Sequence, residues 1–163
     1  MGNNKFLKLH SLLRMLAAVL AIVVFIGMFA TRFVECPENK YVFFDFQNGF
    51  FFNDSDAGTK GNWITFIGFI LVLIGGLAGL AFVFIDELIG KDLTKKLAFI
   101  SGGVALLGSL TILFSSLLFK AFNADLAKHI ELNICAGPIV FGILAVLVGG
   151  IGIAAPILEA KGL

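Results

Sequence analysis

Four long runs of apolar residues, with almost no polar positions inside them, dominate the pattern of this chain. They cover about residues 12–31, 63–85, 97–119 and 134–158. Each run has about 20 residues or more, which is enough to cross a hydrocarbon core of about 30 Å as an α-helix. Backbone groups in lipid must be hydrogen-bonded within the protein, so helices are the expected form of such runs. The pattern predicts an all-α membrane protein, in which an antiparallel bundle of four transmembrane helices forms a single domain over residues 1–163.

The composition agrees with this prediction. Of the 163 residues, 59% are hydrophobic, and the mean hydropathy is +1.01, whereas a soluble domain has about 45–50% apolar residues. The four spans and their connections use nearly the whole length, so we expect no separate soluble catalytic domain. The net charge of +1 does not favour nucleic acid as a partner.

The lysines and arginines near the helix ends predict the orientation. With a cytoplasmic N-terminus, seven basic residues lie inside and five lie outside. The inside group begins with Lys5, Lys8 and Arg14, and we expect the Arg14 side chain to snorkel to the headgroups. Residues 32–62 then form a long outer loop and residues 86–96 a short basic turn in the cytoplasm. We therefore predict a multi-pass protein of the cell membrane with both termini cytoplasmic.

The outer loop has the pattern of a small extracellular β-hairpin. Asn48-Gly49 is a preferred dipeptide of the type I′ turn, and residues that favour strands flank it at 41–47 and 50–53. A lone hairpin is marginal in water, so its phenylalanines should either cap the helix ends and the headgroup region or form a docking surface for a partner. The candidate docking residues are Phe44, Phe46, Phe50, Phe51 and Phe52.

The chain has two cysteines, and the predicted topology puts both on the outer side. We predict that Cys36 and Cys135 form a disulfide that joins the outer loop to the start of the fourth helix. Two free thiols are the alternative, because spacing alone does not bring the Cα atoms within about 7 Å. His10 and His129 would lie on opposite sides of the membrane, so we expect no metal site, and we expect no cofactor.

Small residues recur along the apolar runs and predict close helix packing. Gly75 and Gly79 form a GxxxG pair in the second helix, and Ala145 and Gly149 form a similar pair in the fourth. Because such residues occur on every helix, packing within the bundle is the favoured interpretation. Dimerisation, or binding of another membrane protein, is the alternative.

Hydroxyls are the main polar groups within the apolar runs. The third run contains Ser101, Ser109, Thr111, Ser115 and Ser116. Such hydroxyls usually bond to their own backbone or to a neighbouring helix. Ser109, Thr111, Ser115 and Ser116 would line a pore only if they faced a shared axis. No catalytic motif is present, so we expect no enzyme. The leading hypothesis is a non-catalytic structural or accessory protein that contacts membrane lipid and binds another membrane protein or forms a homo-oligomer. An oligomeric channel or a component of a small-solute transporter is the alternative.

The chain resembles small tetraspan membrane proteins in four features. These are the basic start Lys5-Phe6-Leu7-Lys8, a first helix rich in Ala, Ile, Val and Phe, a longer outer loop and three Gly-rich helices. The likeness is strongest to the uncharacterised ones of low-GC bacteria. It covers the full length and is one of architecture, so it implies a four-helix membrane fold and no particular activity. Claudins share this plan, but their pattern of Trp, Gly-Leu-Trp, Cys and Cys is absent from the loop.

Overall fold

The computed structural model describes residues 8–37, 43–54 and 58–162, with residues 86 and 87 described in their backbone alone. The helices are α1 (Leu9–Ala30), α2 (Trp63–Ile89), α3 (Lys91–Leu113), α4 (Ser115–Phe122), α5 (Ala124–His129) and α6 (Ala136–Ala160). The short strands are β1 (Val34–Glu35), β2 (Phe43–Phe44) and β3 (Asn133–Ile134). The four helices α1, α2, α3 and α6 are long and apolar enough to cross a membrane.

These four helices form a closed bundle, in which α1 packs against α2, α2 against α3, α3 against α6, and α6 against α1. Neighbouring helices run antiparallel. Gly68 of α2 approaches Gly108 of α3, whereas Gly75, two turns further along α2, approaches Ser101, which comes earlier in α3. The predicted antiparallel four-helix bundle is therefore confirmed.

Small residues allow the helices to approach this closely. A Cβ atom added to Gly75 would lie 2.6 Å from the carbonyl oxygen of Ser101, and one added to Gly149 would lie 2.5 Å from a leucine side chain of α3. Ala145 has no exposed surface. These three predicted packing residues therefore pack within the bundle. A Cβ atom at Gly79 would meet nothing within 4 Å, so this residue is not a close-packing position.

The third helix differs from the predicted span of 97–119. It begins six residues earlier, at Lys91, and breaks at Phe114, after which the chain continues as α4. The break directs α4 towards the small sheet. Hydrophobicity alone does not reveal it, because Leu117, Leu118 and Phe119 continue the apolar run beyond Phe114.

The predicted turn over residues 86–96 is reduced to Gly90, which alone separates α2 from α3. The φ angle of Gly90 is +87°, a backbone conformation that glycine adopts at little cost. Asp92 lies in the first turn of α3, where a negative charge stabilises the helix N-terminus. The charged segment therefore extends the helix instead of forming a loop.

The connections at the opposite end form a three-stranded antiparallel sheet in the order β2-β1-β3. Val34 of β1 pairs with Phe44 on one side and with Ile134 on the other. A small antiparallel sheet is thus present, but the hairpin predicted across Asn48-Gly49 is wrong. Of these two residues only Gly49 has a positive φ angle, of +69°, whereas a type I′ turn needs positive φ at both.

The side chain of Asp45 determines the shape of this loop. Its Oδ1 atom accepts hydrogen bonds from the backbone N–H groups of Gln47 and Asn48, each at 2.9 Å. The Asp45 carbonyl accepts a hydrogen bond from the N–H of Phe50 at 3.2 Å. Such local bonds compete with strand pairing, so the chain curls where a hairpin was predicted. Residues 41 and 42 of the predicted first strand lie outside the described residues.

Candidate functional site

The two ends of the bundle contain most of the polar and aromatic side chains that could take part in function. The sheet end consists of the three strands, residues 45–54, α4 and α5. The turn end is where α1 begins, Gly90 joins α2 to α3, and α6 ends. Between them, the outward sides of the four long helices are apolar. The predicted site residues lie at the sheet end and within the bundle.

Most of the candidate docking phenylalanines lie in the core of the sheet end. Phe50 and Phe51 have no exposed surface, and Phe44 is 6% exposed. These three residues therefore do not form a docking surface, because the loop folds inward over the helix ends and does not project as a hairpin. Phe46 is half-buried, and Phe52 is 52% exposed, so these two rings remain accessible.

The buried rings form an aromatic core at the sheet end. Its members are Phe33, Phe44, Phe50, Phe51, Phe69 and Phe119. Phe33 stacks on Phe50 with ring centroids 4.2 Å apart, and Phe50 stacks on Phe119 at 5.0 Å. Such pairs contribute about 0.5–1.5 kcal/mol each beyond the area they bury. This cluster therefore holds the loop, α2 and α4 together.

Two buried asparagines, which the sequence analysis did not identify, attach the loop to the helices. The Oδ1 atom of Asn123 accepts a hydrogen bond from the N–H of Lys60 at 2.7 Å, and its Nδ2 atom donates one to the Lys60 carbonyl at 2.8 Å. Asn62 Nδ2 donates to the Ser115 carbonyl at 2.8 Å, and Asn62 Oδ1 accepts from the N–H of Thr65 at 3.3 Å. The position of Asn62 directly before an apolar run is an N-cap signal in the sequence.

Cys36 and Cys135 are free thiols, so the predicted disulfide is wrong. The register of β1 and β3 explains why. When it is continued, Cys36 falls opposite Leu132 and Cys135 falls opposite Phe33, and the Cys135 N–H donates to the Phe33 carbonyl at 3.3 Å. The two cysteines are therefore three positions apart along the ladder, or about 10 Å at about 3.3 Å per residue, beyond the reach of a disulfide.

The surroundings of Cys135 also keep its thiol protonated. Burial, together with the negative charge of Glu35 and a hydrogen bond to its side chain, raises the pKa of this thiol to about 11, and the positive charge of Arg32 opposes the shift. A thiol with so high a pKa carries little thiolate at neutral pH and is a poor nucleophile. Cys135 is therefore a structural residue at the start of α6.

Three of the four hydroxyls considered for a pore bond to backbone carbonyls. Ser109 and Thr111 donate to carbonyls one turn earlier in α3, at 2.7 and 2.8 Å. Ser116 donates to the carbonyl of Phe33 at 2.9 Å, which ties α4 to the residue before β1. The Ser115 hydroxyl is buried and has no hydrogen-bond partner among the described residues. These groups therefore serve packing and backbone contacts inside one bundle.

At the turn end, Arg14 is buried and does not snorkel as predicted. Its side chain is 3% exposed, and its Nη2 atom donates to Oε2 of Glu159 at 2.8 Å. Glu159 is in the last turn of α6, so the pair joins the start of α1 to the end of α6. The Glu159 carboxylate gives the guanidinium an ion-pair partner inside the protein, so the side chain turns inward instead of towards the headgroups. The Nε atom of Arg14 is buried without a hydrogen-bond partner among the described residues.

A cavity of about 200 Å³ lies beside this ion pair. Besides Arg14, its basic lining comes from Lys8, just before α1, and from Lys91 and Lys95 at the start of α3. Glu159 is the one acid among the described lining residues. None of the three lysines forms an ion pair with a described residue. The sequence signal for this site was the basic group at the inner ends of the predicted helices.

The sheet end is thus a packed aromatic cap, and the turn end holds a basic cavity that charges from three helices surround. The sides of the bundle present apolar residues. Comparison of the chain with protein-family models, with curated proteins and with solved structures finds no match.

Proposed function

We propose that the chain is a non-catalytic, multi-pass protein of the cell membrane that acts as a structural or accessory subunit. In this role it binds another membrane protein or a second copy of itself through the outward sides of its helices. Both termini lie in the cytoplasm. The proposal joins a membrane position, an orientation and a mode of action, and a separate observation supports each.

The outward surface of the bundle supports a position in the membrane. Val19 and Ile26 on α1, Ile74 on α2, Leu107 on α3 and Ile143 on α6 are each more than half exposed. Soluble monomers rarely expose apolar patches of more than a few hundred Å², and here the apolar surface extends around all four long helices. A bilayer is the surrounding that suits such a surface.

The basic residues at the turn end support the orientation. Lys91, Lys95 and Lys96 follow the turn at Gly90, and Lys161 follows α6. An excess of lysine and arginine is typical of the cytoplasmic side, and this supports a cytoplasmic position for the turn end.

Cysteine labelling tests this orientation. In protein whose two native cysteines are replaced by alanine, Lys128→Cys should react with an impermeant maleimide in intact cells. Lys96→Cys should react only after the membrane is opened. The reverse pattern contradicts the orientation.

The closed interior of the bundle carries the proposed mode of action. The hydroxyls of Ser109, Thr111 and Ser116 bond to backbone carbonyls, and the small residues Gly75 and Gly149 are occupied by neighbouring helices. The surface that the described helices offer within the membrane is therefore their outward apolar side. Helix association in lipid depends on close packing of such sides.

Two glycines allow a test of lateral association. An added Cβ atom at Gly103 or Gly150 would meet nothing within 4 Å, so Gly103→Leu and Gly150→Leu should leave the bundle intact while obstructing a closely packed partner helix. Val146→Leu on the same side of α6 serves as the control. In vesicles, energy transfer between labelled copies should report self-association. In cells, crosslinking should give a discrete adduct. Both signals should weaken in the glycine variants only.

A protein that is monomeric in vesicles and gives no discrete crosslinked adduct in cells would contradict the proposed mode of action. Solute flux through vesicles containing the pure protein would instead favour a channel or transporter component. In that case Ser109→Ala and Thr111→Ala should alter the flux.

A further inference from the structure

Among its described lining residues, the cavity at the turn end has more basic side chains than acidic ones. Lys8, Lys91, Lys95 and Arg14 line it, and Glu159 is the acid that faces them. Glu159 is already paired with Arg14 at 2.8 Å. The three lysines form no ion pair with a described residue, so the cavity is electropositive. This feature goes beyond the proposed function, which concerns the sides of the helices.

The buried guanidinium of Arg14 points to a specific ligand for this charge. Its Nη2 atom is held by Glu159, while its Nε–H group is buried without a hydrogen-bond partner among the described residues. Leaving a buried donor unpaired is unfavourable, and arginine presents its donors in a rigid fork that matches oxyanions. The ion pair thus orients the guanidinium, whose positive charge adds to that of the lysines around the cavity.

We propose that this cavity binds a phosphate group. Its volume of about 200 Å³ far exceeds the roughly 10–15 Å³ that one water molecule needs. Its cations approach from Lys8, from Arg14 within α1 and from the first turns of α3, which suits the several oxygens of a phosphate. Two helices begin and two end here, so the helix dipoles largely cancel. The lysines and Arg14 therefore supply the attraction.

A phosphate group can come from an anionic phospholipid or from solution. The cavity lies where the apolar sides of the helices give way to charged residues, which is where a lipid headgroup would sit in the proposed orientation. Basic pockets between membrane helices on this side bind anionic headgroups. Inorganic phosphate would use the same donors, so the two sources need separate probes.

A pair of double variants separates the cavity from the general charge of the turn end. Lys91→Gln with Lys95→Gln removes two cations that line the cavity, and Lys96→Gln with Lys161→Gln removes two from the same end that do not line it. Lys91, Lys96 and Lys161 are exposed, and Lys95 is partly exposed, so the variants should fold. Circular dichroism and thermal unfolding in detergent check this.

Two probes are used with the full chain. Native mass spectrometry measures retention of phosphatidylglycerol against phosphatidylcholine, and thermal unfolding in phosphate against chloride at equal ionic strength measures binding of free phosphate. For whichever probe binds, the affinity of the cavity variant should fall roughly 30-fold, because each of the two lysines contributes about 1 kcal/mol to binding. The control should change by less than about threefold, because exposed charges are screened.

The outcomes separate the two sources. Selective retention of phosphatidylglycerol identifies a lipid headgroup, and stabilisation by phosphate identifies the free anion, provided that the cavity variant loses the effect and the control keeps it. Equal losses in both variants would overturn the proposal, because binding would then reflect surface charge. Failure of both probes with the unaltered protein would also overturn it. Neither negative result bears on lateral association, which the glycine variants test.

Discussion

At the sheet end six buried phenylalanines and two buried asparagines close the bundle, whereas at the turn end the same four helices meet around the Arg14–Glu159 ion pair and a cavity. The aromatic core fills its space, and Asn62 and Asn123 use both their donors and their acceptors. At the turn end, a buried Arg14 nitrogen lacks a partner and three lysines lack an ion pair with a described residue.

This difference separates an end that stabilises the fold from an end for which we propose a role in binding. Close packing of rings yields stability directly, since apolar burial is favourable wherever it occurs. A buried ion pair is poor evidence for stability, because well-packed apolar residues often replace it at no cost. Stability alone therefore does not explain the charged residues of the turn end, whereas the proposed binding of a phosphate group does. The following predictions test this contrast, beginning with the largest effect.

The aromatic core should be the most sensitive part of the protein. Phe50→Ala removes a ring that stacks on Phe33 and on Phe119, and it should lower the free energy of unfolding by about 3–5 kcal/mol. Phe52→Ala, at the 52% exposed neighbour, should change it by less than about 0.5 kcal/mol. Unfolding in mixed detergent measures both. Equal effects would show that the loop is not packed as described.

The ion pair should behave differently from the aromatic core. Glu159→Gln leaves the Arg14 guanidinium buried and unpaired, and it should lower the free energy of unfolding by about 3 kcal/mol, at the low end of the range for buried pairs because Glu159 keeps 14% exposure. Replacing both Arg14 and Glu159 by methionine should restore most of this loss.

A control for the ion pair lies at the sheet end. Asp125→Asn breaks the exposed pair between Lys128 and Asp125 and should change stability by less than about 1 kcal/mol. If the double methionine variant is as unstable as Glu159→Gln, the ion pair itself contributes net stability, and the contrast between the two ends disappears.

The asparagine contacts should have a smaller and more local effect. Asn123→Ala removes the bonds to both backbone groups of Lys60 and should cost about 1–3 kcal/mol. Hydrogen exchange at residues 58–61 should quicken more than exchange in the helices, since this side chain holds the loop. Asn133→Ala, at an exposed position of β3, is the control. A uniform change in exchange would mean that Asn123 supports the whole bundle and not the loop.

The smallest effect concerns the reactivity of Cys135, which we expect to follow its raised pKa. At pH 8 a thiol with a pKa of about 11 is about one-thousandth thiolate, so in Cys36→Ala protein its alkylation should quicken about tenfold for each pH unit up to about pH 11. Glu35→Gln removes a negative charge, lowers the pKa and should quicken the reaction at pH 8. Arg32→Gln removes a positive charge, raises the pKa and should slow it. Changes of the same sign in both variants would contradict this electrostatic account.

Much of the bundle could be predicted from the sequence because its cause is local. Each apolar run is long enough to make a helix by itself, and the inward use of Gly75, Gly149 and Ala145 follows from the abundance of small residues on every helix. The break at Phe114 could not be found in this way. It depends on Ser116 reaching the Phe33 carbonyl, which lies 83 residues away in the chain.

The hairpin and disulfide predictions at the sheet end were wrong for the same physical reason, which is that contacts with residues outside each local pattern decided the outcome. Asn48-Gly49 favours a hairpin when the local sequence is considered alone, but Asp45 offers the backbone other hydrogen bonds, and β2 finds a better partner in β1. The cysteines share one end of the bundle, as their positions suggested, yet a register of a few residues decides whether two thiols meet. A register depends on every pairing in the sheet, so it is invisible in the spacing of two residues.

The sequence by itself determined the number of long helices, their apolar sides and the short link that makes α2 and α3 antiparallel, since apolarity and length act within each segment. The tertiary structure alone decided which polar groups meet. Arg14 appears in the sequence as one cation at the start of a helix. Only the closed bundle brings it to Glu159, 145 residues away, and leaves beside them a cavity whose described lining residues are mainly basic where they are charged.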